Sequence, residues 1–96
     1  MFTHKKIKVG SRFVQGLSMS LGRKRLVVLA GRRGYCMCGY LNMKAANAFK
    51  DVAVKVAGVS TIAEAQSSRV HSCSKRARAL GAYPGQSIRD FLKIIA

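Results

Sequence analysis

The sequence predicts a small two-layer α+β domain, in which an N-terminal antiparallel meander is extended to a mixed sheet and carries three to four short helices. Three observations support this fold class. The first forty residues are rich in Val, Leu and alternating apolar positions, as strands are. From Asn42 onward, capping residues precede apolar positions at helical spacing. The chain has 96 residues, enough for one core, so residues 1–96 are expected to form a single domain.

Four strands are predicted before Asn42, at residues 7–9, 13–21, 25–30 and 35–41. The segment before them, about residues 1–6, is predicted to be a flexible, lysine-rich N-terminal arm. The connections at residues 21–24 and 31–34 contain glycine, which adopts the positive φ of tight turns. Such short turns between successive strands indicate an antiparallel meander.

The second half mixes helices with short strands. Asn42 is a candidate N-cap for a helix over residues 43–50, and the β-branched residues 52–57 predict a strand. Thr61 and Glu64 have the spacing of a capping box, which predicts the start of a second helix.

The last third continues this pattern. Residues 69–73 predict a brief strand, and Ser74 is expected to cap a helix that runs to Leu80. A final helix is predicted from the spacing of Ile88, Phe91, Leu92 and Ile95.

The charge of the chain excludes several functional classes. Eighteen Lys and Arg stand against three acids, a net charge of +15. A calcium loop, a two-metal carboxylate site or a paired-carboxylate hydrolase needs several convergent acids, which three scattered ones do not supply. No apolar run approaches the ~18 residues of a membrane span, and the first residues lack the apolar segment of a signal peptide. A cytoplasmic location is therefore expected.

The basic excess predicts a polyanionic partner. The first 50 residues carry eleven Lys or Arg and no acid, and like charges this close weaken the compact state unless a partner neutralises them. Nucleic acid is the commonest such partner. The candidate RNA-binding residues are Lys5, Lys6, Lys8, Arg12, Arg23, Lys24, Arg25, Arg32, Arg33, Arg69, Lys75, Arg76 and Arg78.

Two groups of these cations have a predicted placement. The two turns of the meander lie at opposite ends of one strand, about 20 Å apart, and guanidinium groups there could pair with several phosphates. The cations after Ser74 lie at the start of a helix, where the helix dipole disfavours positive charge. A phosphate bound by free N–H groups at that position would resolve the conflict.

The cysteines allow two further hypotheses. Cys36, Cys38, His71 and Cys73 supply four soft ligands, but one intervening residue is shorter than the usual Cys-x2–4-Cys spacing of a zinc site. Cys38 with His71 could form a nucleophile and base, yet no acid has a position that would orient the histidine. No catalytic residue, metal or cofactor is therefore predicted, and the thiols are expected to stay reduced.

One stretch resembles a known family. Gly34-Tyr35-Cys36-Met37-Cys38-Gly39-Tyr40-Leu41-Asn42 is similar to the signature of the YunC-like domain of unknown function, the 1805 family. The similarity continues through Val56-Ala57-Gly58-Val59-x-Thr61, Ser74-x-x-Ala77-x-x-Leu80-Gly81 and Gly85-Gln86-Ser87-Ile88-Arg89-Asp90-Phe91-Leu92, and extends from about Ile7 onward.

The resemblance implies a small α+β fold found in bacteria and archaea, in which Cys38 packs as a small apolar residue, and it implies no established activity. Family members are usually near neutral or acidic, so this basic chain suggests a fold reused for a polyanion. We therefore expect an RNA-binding structural protein, associated with the ribosome of an archaeon, that contacts rRNA phosphates and neighbouring ribosomal proteins. The alternatives are a small-ligand or partner-binding module of the family and, less favoured, a Cys-His enzyme. Neither a membrane nor a small-molecule substrate is expected as a partner.

Overall fold

The computed structural model describes residues 2–96 and contains six strands and four helices in these residues. The strands are β1 (Phe2–Val9), β2 (Arg12–Leu21), β3 (Lys24–Ala30), β4 (Tyr35–Met37), β5 (Ala53–Lys55) and β6 (Ser72–Cys73). The helices are α1 (Met43–Ala48), α2 (Ile62–Gln66), α3 (Lys75–Ala79) and α4 (Ile88–Ile95).

All six strands form one mixed sheet in the order of the sequence. β1 to β4 are an antiparallel meander, β4 and β5 are parallel, and β5 and β6 are antiparallel. Since a parallel pair needs a crossover, α1 forms the connection between β4 and β5. The predicted α+β class and the extension of a meander to a mixed sheet are confirmed.

The predicted N-terminal arm is wrong for residues 2–6. These residues belong to β1, which pairs with β2 along its whole length, from Phe2 opposite Met19 to Val9 opposite Arg12. The strand forms because Ile7 packs in the core and the backbone continues the β2 ladder on both sides of it. Met1, the first residue of the predicted arm, lies outside the described residues.

β4 is shorter than the prediction. It ends at Met37 because the chain turns at Gly39 and Tyr40, where the N–H of Leu41 donates to the carbonyl of Cys38 at 3.0 Å. The N–H of Cys38 still donates to Val27 of β3 at 3.1 Å.

The predicted helix starts are confirmed by their caps. The side chains of Asn42, Thr61 and Ser74 each accept a hydrogen bond from the backbone N–H three residues later. α4 is capped in the same way by Ser87.

The sheet has two unlike faces. The inner face packs against α2, α3 and α4 and forms the main core, which includes Val14, Leu29, Val54 and Phe91. On the outer face, α1 covers the β4–β5 region through a smaller cluster around Ala53. Because side chains alternate along a strand, every second residue of β1, β2 and β3 points to an outer face on which half-buried and exposed apolar residues remain. No helix in residues 2–96 is long and apolar enough to cross a membrane.

Candidate nucleic-acid interface

An open cleft of about 790 Å³ lies at the end of the sheet where β3 begins and β4 ends. The β2–β3 turn contributes Arg23, Lys24 and Arg25 to its lining. The other walls are Tyr40, from the turn after β4, and residues 58–60 after β5. Among the described residues that line this cleft there is no Asp or Glu, so its field attracts anions.

The geometry of the basic turn depends on a two-residue loop. Leu21 pairs with Lys24, so Gly22 and Arg23 alone make the connection. Gly22 has a φ of 61°, a conformation that costs a side-chain-bearing residue about 1–2 kcal/mol. The glycine therefore lets the hairpin turn sharply with the arginine at its tip.

Cys38 connects this turn to the signature segment. Its buried Sγ accepts a hydrogen bond from the N–H of Val27 at 3.4 Å and lies 3.7 Å from the carbonyl oxygen of Arg25, to which the thiol donates. These contacts continue the β3 ladder after β4 has stopped pairing. The thiol thus fixes the first residues of β3 beside the segment that follows β4. The basic turn, which precedes these residues, is thereby held in place at the cleft.

Tyr40 gives the cleft an aromatic surface. Its side chain is 46% exposed and lies in a turn, whereas the predicted strand over residues 35–41 would have placed it on a strand face. An exposed ring next to three cations can stack on a base while the cations neutralise phosphates.

The second basic turn lies at the opposite end of β3, as predicted. Arg32 and Arg33 are exposed between Gly31 and Gly34, and the N–H of Arg33 donates to the carbonyl of Ile95 at 2.8 Å. These arginines therefore lie beside the C-terminal end of α4, where positive charge stabilises the helix dipole. Both a phosphate-binding role and this structural role fit their position.

The cations of α3 lie at the same end of the sheet as Arg33, but the expected free N–H groups are largely occupied. The N–H of Lys75 donates to Asn47 Oδ1 at 2.8 Å, and the N–H of Ala77 donates to the capping Ser74 Oγ at 3.2 Å. A phosphate at the helix start is therefore not supported. Lys75, Arg76 and Arg78 remain exposed, and only their side chains are candidates for RNA contacts.

The remaining candidate cations are spread over the surface. Lys5, Lys6 and Lys8 are exposed along the edge strand β1, and Arg12 is exposed where β2 begins. Arg69 is partly used by the protein itself, because its Nη1 donates to the carbonyl of Gly85 at 2.9 Å.

The acids are already engaged by the protein. Asp51 Oδ2 accepts a hydrogen bond from Tyr35 Oη at 2.9 Å, and Glu64 accepts one from a backbone N–H at the start of α2. Asp90 lies 3.6 Å from Lys93 Nζ, which is the single ion pair in residues 2–96. No other Lys or Arg of the described chain has a carboxylate partner.

The three cysteines are buried, and within residues 2–96 none is hydrogen-bonded to a histidine. No group of three or more His, Cys, Asp or Glu in residues 2–96 could hold a metal ion. His71 is exposed, and the hydrogen-bond partners of the buried Cys38 thiol are backbone groups of β3. Burial raises the pKa of Cys36 to about 12 and also raises that of Cys73, so both thiols stay protonated at neutral pH.

The family model of a domain of unknown function, DUF1805, matches residues 37–95. This chain belongs to that family. The matched range confirms the resemblance from Met37 of the signature through the helices and the C-terminal segment, and it begins at Met37 rather than at Ile7.

A solved structure is similar to this protein over its whole length. The crystal structure of a protein of unknown function, TA1206 from Thermoplasma acidophilum, superposes with a TM-score of 0.96 and is 34% identical in sequence. The alignment covers 100% of this chain and 94% of that one. No curated protein matches the sequence.

The structure also reveals a surface that the sequence did not indicate. Phe2 and Phe13 are exposed on the outer face of the sheet, and Lys6 Nζ lies 4.7 Å from the centre of the Phe13 ring. The sequence predicts a flexible arm at Phe2 and a strand at Phe13, and neither prediction indicates a shared exposed face. The available signal is the even spacing of Phe2 with Lys6 and Lys8, which strand alternation places on one face.

Proposed function

We propose that this protein binds RNA as a structural component, and that its RNA is ribosomal RNA in an archaeal ribosome. In this role the cations neutralise rRNA phosphates without recognising a base sequence. Neighbouring ribosomal proteins are its other partners. The protein carries out no catalytic step in this proposal.

The observation that carries the proposal is the excess of cations over carboxylates, 18 Lys and Arg against three Asp and Glu. Lys93 is the one Lys or Arg of residues 2–96 that pairs with a carboxylate. The radius of gyration is 12.1 Å, close to the Debye length of ~8–10 Å at physiological salt, so the unpaired cations repel one another. A phosphate backbone removes this repulsion and gains favourable contacts at the same time.

The placement of the cations supports the same proposal. The basic turns at the two ends of β3 are separated by seven residues, about 20 Å. Duplex nucleic acid carries phosphates every few ångströms, so a surface of this length can contact several of them at once. Contacts that are spread over the surface favour a shape-dependent partner such as folded RNA.

Fractionation of a native lysate on a sucrose gradient, with mass spectrometry of each fraction, tests the ribosomal part of the proposal. We expect the protein in a ribosomal peak at low salt and its release at high salt. Its presence only in the top fractions at low salt would contradict ribosome association.

Salt titration of the purified protein with RNA tests the binding itself. About five to eight phosphate contacts predict that log affinity falls linearly with log salt, at a slope of roughly −3.5 to −6 for single strands and a steeper slope for duplexes. An affinity that does not change with salt would contradict phosphate binding.

The cleft favours one second candidate, a small anionic ligand. Its volume of about 790 Å³ lies within the ~300–1,000 Å³ typical of ligand sites, and its lining includes Cys38 and Gly39 of the family signature. Calorimetry with nucleoside phosphates distinguishes the two functions. Micromolar binding of one nucleotide, abolished by Arg23→Ala/Arg25→Ala and insensitive to RNA, would support the small-ligand function instead.

A further inference from the structure

The outer face of β1, β2 and β3 is apolar and aromatic at its surface. Phe2 is 59% exposed, Phe13 is 47% exposed, and Met19 and Leu21 are 39% and 40% exposed. Leu17, Leu26 and Val28 are half-buried on the same face, where Val28 is the cross-strand partner of Leu17. An open face of this kind needs a partner that tolerates apolar contact.

The two phenylalanines mark the ends of this face. Phe2 pairs with Met19, which is six residues from Phe13 along β2. At ~3.3 Å per residue, the two rings are roughly 20 Å apart. His4, whose ring is hydrogen-bonded to Gln15, lies on the same face between them.

The charge of the face excludes a second copy of this chain as the favoured partner. The pairing register places Lys6, Lys8 and Lys24 on this face, and residues 2–30 contain no acid. Two such faces in contact would bring cations together without counter-charges, at a cost that grows as water is removed. A partner with exposed apolar surfaces and a negative backbone has the complementary character.

We propose that this outer face binds single-stranded RNA, with unpaired bases stacked on Phe13 and Phe2. The inference rests on the proposed RNA-binding function and adds the class of RNA and the residues that contact bases. Single-stranded nucleic acid has both required properties, because each base presents an apolar π face and each phosphate a negative charge.

Lys6 has a position suited to this partner. Its ammonium lies 4.7 Å from the centre of the Phe13 ring in the free protein, where the ring's negative face attracts it. When a base stacks on Phe13, the flexible lysine side chain can turn to the phosphate of the same nucleotide. Lys8, the cross-strand neighbour of Phe13, offers a second cation within the same region.

The test compares binding of single-stranded RNA of about eight nucleotides, the same strand with abasic positions, and a duplex of equal length. We expect Phe13→Ala to weaken binding of the normal single strand about 5- to 100-fold, because stacking on one ring is lost. The salt slope should not change, since the ring carries no charge. Binding of the duplex should also stay the same.

Two variants control this result. Phe49→Ala removes an even more exposed ring, 78% exposed, at the end of α1 and outside the β1–β3 face, and should leave every affinity unchanged. Phe13→Tyr keeps an aromatic ring and should restore single-strand binding. Thermal unfolding of each variant verifies that the fold is retained.

The outcomes separate the inference from the function on which it rests. Wild-type protein that binds no RNA overturns both. Salt-dependent binding in which Phe13→Ala equals the wild type overturns only the stacking surface, and so does equal affinity for normal and abasic strands. A dimer in sedimentation that Phe13→Ala dissociates also overturns it, in favour of self-association. If Phe13→Ala does not fold, the affinities of the wild-type protein for the normal and the abasic strand test the stacking surface.

Discussion

The two ends of β3 carry the same kind of segment, a tight turn with glycine and adjacent arginines, in different surroundings. At the cleft end, a Cβ added to Gly22 would meet no other atom within 4 Å. At the opposite end, a Cβ on Gly31 would lie 2.4 Å from the carbonyl oxygen of Ile95, which also accepts a hydrogen bond from Arg33 at 2.8 Å. One turn is open, and the other is packed against α4.

This difference shows that a basic turn identifies a binding site only together with its packing. The packed turn has a structural reason for its cations, because they lie beside the C-terminal end of a helix. The open turn has no such reason, since its arginines face a cleft without carboxylates. The cleft end is therefore the stronger candidate for a functional surface.

The largest expected effect is on folding at the packed end. Gly31→Ala should lower the free energy of unfolding by about 2–4 kcal/mol, because its methyl group would collide with the backbone of α4. Gly22→Ala should lower it by about 1–2 kcal/mol, from the positive φ alone. Chemical denaturation measures both. Gly39→Ala, which meets no atom within 4 Å, is the control and should stay within about 0.5 kcal/mol of the wild type.

The next effect concerns the cations at the two ends. Arg23→Ala/Arg25→Ala should reduce the salt slope of RNA binding by about two and leave stability unchanged. Arg32→Ala/Arg33→Ala should reduce the slope by the same amount and also cost about 0.3–1 kcal/mol of stability, from the lost interaction with α4. Salt titrations and thermal unfolding of both variants give the two quantities. Wild-type slopes in both variants would contradict the RNA-binding function.

A third effect is expected at the wall of the cleft. Cys38→Ala should lower stability by about 1–2 kcal/mol, because the thiol packs in the core and bonds to Val27 and Arg25. RNA affinity should fall little.

In the folded wild type, the three buried thiols should resist alkylation at pH 8, and in denaturant all should react. Rapid alkylation of native Cys38, together with a measurable turnover, would support the Cys-His enzyme.

A fourth effect is expected at the packed end. Burial and the hydrogen bond to Asp51 raise the pKa of Tyr35 from 10.0 to about 12. Its hydroxyl therefore contributes stability that is fully present below pH 10 and is lost as the pH rises towards 12. Tyr35→Phe should be less stable than the wild type by about 1 kcal/mol at pH 8, with no difference remaining near pH 12. The alkaline titration of Cys36 is common to both proteins and cancels in this comparison. A difference that is constant from pH 8 to 12 would contradict the Tyr35–Asp51 bond.

Local signals predicted most of the fold. Asn42, Thr61 and Ser74 were identified as caps because a cap acts on an N–H only three residues away. The turn at Gly22 is predictable for the same reason, since its positive φ is a property of the turn itself. Gly31 has no positive φ, and contact with Ile95 of α4 is what requires a glycine there. Residues 2–6 were misassigned because nothing in their own sequence shows that β2 continues alongside them. Pairing with a distant strand, rather than local preference, makes that segment a strand.

The features of the candidate site also fall into two groups, those that the sequence predicts and those that require the three-dimensional structure. The net charge, the positions of the basic turns and the resemblance to DUF1805 can be predicted without a structure, because they depend on composition and order along the chain. Only the tertiary structure decided which turn is open, that Tyr40 faces a cleft, and that Phe2 and Phe13 share an uncovered face. Each of these depends on which elements cover which side of the sheet, and α4 reaches its position beside Gly31 and Arg33 through contacts with residues far away in sequence.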